Sequence, residues 1–95
     1  MDDELFDWDD ANILHLAEHD VAPEEAEEVL LGDPLDVGFD VVNDEERWSY
    51  LGETDEGRIL RVLITMRGER IRVLTAFDPS RYLKNFYIER KARQR

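Results

Sequence analysis

Arg58-Ile59-Leu60-Arg61-Val62-Leu63-Ile64-Thr65-Met66-Arg67-Gly68-Glu69-Arg70-Ile71-Arg72-Val73-Leu74-Thr75-Ala76-Phe77 is the stretch that decides the fold. Residues 58–66 are rich in β-branched and aliphatic side chains and long enough to cross the centre of a sheet, which predicts a strand. Arg67-Gly68-Glu69 supplies a tight turn, and residues 70–77 pair back as a second strand. Upstream the period is again two. Residues 35–42 read as a strand interrupted by Gly38, Asn43-Asp44-Glu45-Glu46 as a turn, and residues 47–52 as a strand carrying Trp48 and Tyr50. Thr54-Asp55-Glu56-Gly57 turns the chain into the 58–66 strand.

Outside this region the period becomes helical. Asp9 or Asp10 can cap a helix running to about His19, with Ile13, Leu14, Leu16 and Ala17 at helical spacing. Asp20-Val21-Ala22 breaks it. Pro23 opens a second helix, where its missing N–H costs nothing, and Glu24, Glu25, Glu27 and Glu28 suit the positive end of the helix dipole. Gly32-Asp33-Pro34 ends that helix. Leu5-Phe6-Asp7-Trp8 is a short extended segment able to anchor on a core. Downstream, Asp78-Pro79 reads as a cap followed by proline at the first helical position. A basic helix then runs from Ser80 to about Arg93, with Tyr82 or Leu83, Phe86, Tyr87 and Ile88 available for packing. The order predicts one α+β domain over residues 1–95: two N-terminal helices, a four-stranded antiparallel meander and a C-terminal helix. Helices are expected on one sheet face, leaving the other open for a ligand.

Composition narrows the function. No cysteine is present, which excludes disulfides, thiolate metal sites and a cysteine nucleophile. Met1-Asp2-Asp3-Glu4 is the reverse of a basic-then-apolar signal, and no apolar run approaches the roughly 20 residues of a bilayer span. A cytoplasmic, acidic protein with no membrane partner is the expectation. The net charge of −12 is unevenly spread. Residues 1–56 hold 21 Asp/Glu and one base, Arg47, while residues 57–95 hold 11 Lys/Arg and three acids. One face can therefore attract an anion although the whole is acidic. The alternatives are that acid and base pair across the fold, or that the acidity is a solubility device for a high-salt habitat.

Trp8-Asp9-Asp10-Ala11-Asn12-Ile13-Leu14-His15-Leu16-Ala17-Glu18-His19-Asp20-Val21-Ala22-Pro23-Glu24-Glu25 resembles the opening of the BrnT toxin family. The likeness continues through Asp33-Pro34, Leu51-Gly52-Glu53-Thr54, Gly57-Arg58 and Ile71-Arg72-Val73-Leu74-Thr75-Ala76, covering about residues 5–90. The resemblance implies a RelE/ParE-like fold and a toxin of a type II toxin–antitoxin system that cleaves RNA. It also implies a BrnA-like ribbon-helix-helix antitoxin as partner, with DNA contacted only through that antitoxin. The chain departs from the family pattern at Phe77, where the family has arginine, and at Glu18, Asp20, Ala22 and Tyr82-Leu83.

The candidate site follows from these residues. Asn12, His15 and His19 share a helical stripe. His19, at the helix end, is the candidate proton shuttle, whereas Asn12 and His15 fit a backbone-bonded seam better. Cleavage through the 2′-hydroxyl needs a base, an acid and cations for the charge on phosphorus. His19, Arg72 and Arg81 are the catalytic candidates, and Arg70, Lys84 and Tyr82 the RNA-binding ones. Tyr82 offers a ring for base stacking. Strand parity puts Arg72 on the face opposite Thr75 and Phe77 unless a bulge intervenes. No metal motif, phosphate loop or nucleophile triad is present, and no cofactor is expected. The leading expectation is a metal-independent endoribonuclease toxin that inhibits translation. The alternative, motivated by Phe77, is a catalytically degenerate BrnT-like module that binds an antitoxin without cleaving RNA.

Overall fold

A computed structural model describes residues 5–94; Met1 to Glu4, on which the reading against a signal segment rests, lie outside the described residues, as does Arg95. The elements run α1 (Asp10–Ala17), α2 (Pro23–Leu31), β1 (Leu35–Val42), β2 (Glu45–Glu53), β3 (Ile59–Arg67), β4 (Arg70–Phe77) and α3 (Arg81–Arg93). The sheet is an antiparallel meander in the order β1-β2-β3-β4, as the residue periods predicted. Asn43 and Asp44 alone form the first turn, at φ 52° and 66°. That is the double left-handed conformation that matches strand twist and suits Asn and Asp.

One sheet face packs on α1 and α2. Leu60, Val62 and Ile64 of β3 and Val73 and Ala76 of β4 meet Leu16, Val21, Ala26 and Val29 in one buried cluster. Gly52 lies on this face, where an added Cβ would stand 2.8 Å from Val29 Cγ1, so the Val29 side chain of α2 packs directly on the β2 backbone. The opposite face is not left wholly open. Leu51 and Glu53 alternate away from Gly52, yet Leu51 is fully buried, and the Tyr87 hydroxyl of α3 donates to Glu53 Oε1 at 3.1 Å. The expectation that all helices share one face is therefore corrected: α3 covers one end of the second face. Burial, followed by the neighbouring Glu53 carboxylate, pushes the Tyr87 hydroxyl up to about 12, which keeps it a proton donor.

Caps explain where the helices start. Asp9 caps α1 by accepting the Asn12 N–H, and Asn12 Oδ1 accepts the Asp9 N–H in return. Ala22 brings no cap to α2, and the Glu25 carboxylate takes the Ala22 N–H instead at 3.0 Å. At α3 the cap is Ser80, which accepts from the Leu83 N–H, rather than Asp78. Asp78 is drawn away by Arg58. The segment before α1 seals the β4 edge. Phe6 is buried and bridges Ile71 in parallel, with Asp7 N–H donating to the Ile71 carbonyl and Ile71 N–H to the Leu5 carbonyl, each at 2.8 Å.

Candidate nucleic-acid interface

Two clusters emerge where the sequence suggested one. The first lies at the start of α1. Arg72 reaches Asp9 Oδ1 at 3.1 Å and Asp7 Oδ2 at 3.4 Å, and its side chain is only 11% exposed. Arg70 donates to the Phe6 carbonyl and approaches Asp7 at 4.0 Å. Both arginines clamp the N-terminal segment onto β4. The hydrogen bond from Arg72 holds the Asp9 carboxyl below its ordinary range. Asn12, buried beside them, donates to the Asp7 and Val73 carbonyls and so belongs to the seam. His15 lies further along α1, and with Arg72 and Val73 it lines a shallow cleft of about 250 Å³.

The second cluster gathers at the other end of α1. Ten residues separate Asp9 from His19, roughly 15 Å at helical rise, so His19 and Arg72 do not converge. His19 lies in the turn after α1, with its ring 5.7 Å from that of His15 and 5.7 Å from Phe77. Phe77 ends β4, and Asp78-Pro79-Ser80 leads directly into Arg81. Arg58 locks this junction. Its guanidinium binds Asp78 through two bonds of 3.1 and 3.2 Å, Glu25 at 3.2 Å, the Asp20 carbonyl at 2.7 Å and the His19 carbonyl at 3.5 Å. Bidentate geometry of this kind is what arginine, and not lysine, provides. Asp78 is accordingly held below its ordinary range by Arg58.

Beyond this lock, the first turns of α3 project outward. Arg81, Tyr82 and Lys84 are exposed, Tyr82 by 77%, and neither Arg81 nor Lys84 forms an ion pair among the described residues. Most other cations are satisfied: Lys91 by Asp33, Arg67 and Arg47 by Glu45, and Arg93 by Glu89. Arg61 is a further cation without a carboxylate partner among the described residues. It donates to Ser49 Oγ at 2.9 Å and lies opposite Phe77 in the β3–β4 register. Sequence reasoning passed over Arg61 and Arg58. The signal for Arg61 was its alternation with Leu60 and Val62, which sets it on the face away from the core. The signal for Arg58 was its place at a strand start, directly after the acidic turn Asp55-Glu56-Gly57.

A bulge settles the parity question. Leu63 pairs with Thr75 while Ile64 pairs with Val73, which leaves Leu74 as the extra residue. Arg72, Thr75 and Phe77 thereby register against Thr65, Leu63 and Arg61, alternate residues on one side of β3. Among the described residues, no group of three or more His, Asp or Glu has an arrangement that could hold a metal ion. No helix among them is long and apolar enough to cross a membrane.

Fold and surface together define an α+β protein whose acidic N-terminal half neutralises part of a basic C-terminal half and leaves the start of its last helix cationic. The family model for the ribonuclease toxin BrnT of type II toxin–antitoxin systems matches residues 8–82, and the chain belongs to that family. No curated protein matches the chain. Membership bears out the resemblance carried by the opening run, and a type II toxin family implies an antitoxin partner.

Proposed function

We propose that the chain is a metal-independent endoribonuclease that inhibits translation, working from the surface where the end of α1, the end of β4 and the first turns of α3 meet. The observation that carries this reading is the exposed set Arg81, Tyr82 and Lys84, whose two cations form no salt bridge among the described residues, Lys84 acting on Asp78 only at longer range, while Arg58 and Lys91 on either side are paired. In this reading Arg81 and Lys84 hold the phosphate and offset charge developing on phosphorus, and Tyr82 stacks on a base. His19 takes or returns the proton of the 2′-hydroxyl, and Arg61 adds a cation from the adjoining sheet face. Arg72 and Arg70 then act as clamps for residues 5–9, with Arg72 outside the chemistry. The expected partner is a BrnA-like ribbon-helix-helix antitoxin that contacts DNA on the complex's behalf. The fold is taken as RelE-like and the compartment as the cytoplasm.

A second reading is favoured by one residue. Phe77 occupies the position at which the family pattern has arginine, and its ring stacks near His19. A phenyl ring there supplies no charge to a phosphorane, which suits a module that binds an antitoxin without cutting RNA. Purified protein incubated with structured and unstructured RNA in a chelator separates the two. Cleavage leaving 2′,3′-cyclic phosphate ends supports the enzyme. Intact RNA with wild type, together with cleavage by Phe77→Arg, supports the degenerate module.

A further inference from the structure

The two edges of the sheet are treated differently. At β4, residues 5–7 and Asn12 take up the outward groups of Ile71 and Val73. At β1 no strand pairs on the outer side among the described residues, since the order ends there. An unpaired edge of eight residues is a template for another strand. Its protection is purely acidic. The outward N–H of Val41 is held by the Asp40 carboxylate at 2.8 Å, and Asp36 sets a second carboxylate near the start of the strand.

The same edge carries exposed apolar surface. Phe39 is 57% and Val41 53% exposed, and the Phe39 ring lies 5.5 Å from Trp48. Val41, Trp48 and Met66 line one open groove of about 580 Å³ rimmed by Asp44, Glu45 and Glu46. Register puts Phe39 and Val41 on one side of β1, and Asp40 on the other beside Arg47. Arg47 is already committed to Glu45 at 2.9 Å. Residues 33–46 hold six acids and no base. Two copies paired through this edge would bring those carboxylates together, and like charges facing across strands are destabilising.

We infer that the outer edge of β1 docks an extended, cationic segment of another protein, which adds to the sheet as a fifth strand. Alternation in the incoming strand sets apolar side chains over Phe39 and Val41 and basic ones against Asp40. A basic side chain that engages Asp40 releases the Val41 N–H, so charge recognition and strand pairing are one event. The edge thus discriminates by charge: it admits a cationic partner and repels its own copy. This inference concerns a surface remote from His19 and Arg81 and stands without the ribonuclease reading.

The test is an NMR titration of the ¹⁵N-labelled full chain with the peptide acetyl-Lys-Val-Lys-Val-Lys-Val-Lys-amide. Saturable shifts are expected at residues 38–42 and at Trp48, with slowed exchange of the Val41 amide. Val41→Pro removes the outward donor without touching an inward ladder bond, and should weaken binding at least tenfold. Should that variant lose its dispersed spectrum, Asp36→Lys with Asp40→Lys is the surface alternative, expected to abolish binding. Unchanged affinity in the folded variants, or shifts centred on the Glu24–Glu28 face, overturns the proposal. So does a self-associating chain whose dimer is lost in Val41→Pro, and so does equal binding of the Glu-for-Lys peptide.

Discussion

Arg58 and Asn12 show how single residues fix this site. Arg58 joins the turn after α1, the first turn of α2 and the β4–α3 junction, so its loss frees three segments at once. Bonds to charged groups contribute about 1.5–3 kcal/mol each when shielded, but this side chain is partly exposed and the sum must be discounted. Arg58→Ala is expected to cost about 1–3 kcal/mol in urea unfolding, with Arg58→Lys recovering less than half, because an ammonium cannot bridge Asp78 in two places. Asn12→Ala leaves the Val73 carbonyl short of its buried donor and removes the α1 cap partner, a loss of about 1–3 kcal/mol by the same measurement. Arg72 makes the complementary pH prediction. Asp9 is depressed below 3.8 chiefly by its Arg72 hydrogen bond. A carboxyl depressed on folding adds stability above its unfolded value and loses it as pH falls through the folded one. As pH falls below about 4, the wild-type stability curve should therefore drop more steeply than that of Arg72→Ala. Parallel curves would mean that the ion pair is not maintained in solution.

Elements were legible where one period dominated. The switch from helical spacing to alternation after Pro34, and the β-branched run of residues 59–64, gave both the order and the antiparallel pairing. Details set by distant partners were hidden. Asp78 had the form of a helix cap, but Arg58 competes for its carboxylate and Ser80 takes over the helix start. Leu74 carries no local mark of a bulge, because no glycine or proline signals it. The mixed apolar and basic face of α3 did not disclose that Tyr87 anchors it across the second sheet face. Packing between elements yields its own test. Gly52→Ala should cost about 1–3 kcal/mol through the close approach to Val29, and Val29→Ala in the same chain should recover part of that loss in a double-mutant cycle. At α3, replacing both Arg81 and Lys84 by alanine should lower the slope of log affinity for RNA against log salt by about two, one for each phosphate contact removed.

Over the whole molecule, charge does two opposed things. The acidic first half reaches across to Arg58, Arg70, Arg72 and Lys91, so the sum of +8 in residues 57–95 overstates the cationic surface. The sequence allowed that cancellation as an alternative but hid its partners, since Asp7 and Arg72 lie 65 residues apart and meet only because residues 5–7 run along β4. What survives is local: Arg81, Lys84 and Arg90 on α3, the last lying over the Phe86 ring, and Arg61 on the sheet. The candidate site was therefore half readable. His19, Arg81, Tyr82 and Lys84 remain exposed near one end of the fold, whereas Arg70 and Arg72 serve its seam at the other. Cleavage of a defined single-stranded RNA by the purified chain in excess chelator, compared with Arg81→Ala/Lys84→Ala, tests this division most directly. The account predicts cleavage by wild type, loss of at least a hundredfold in the double variant, and near-wild-type cleavage by Arg72→Ala once its folding is confirmed. Cleavage that survives in the double variant but vanishes in a folded Arg72→Ala protein would contradict it.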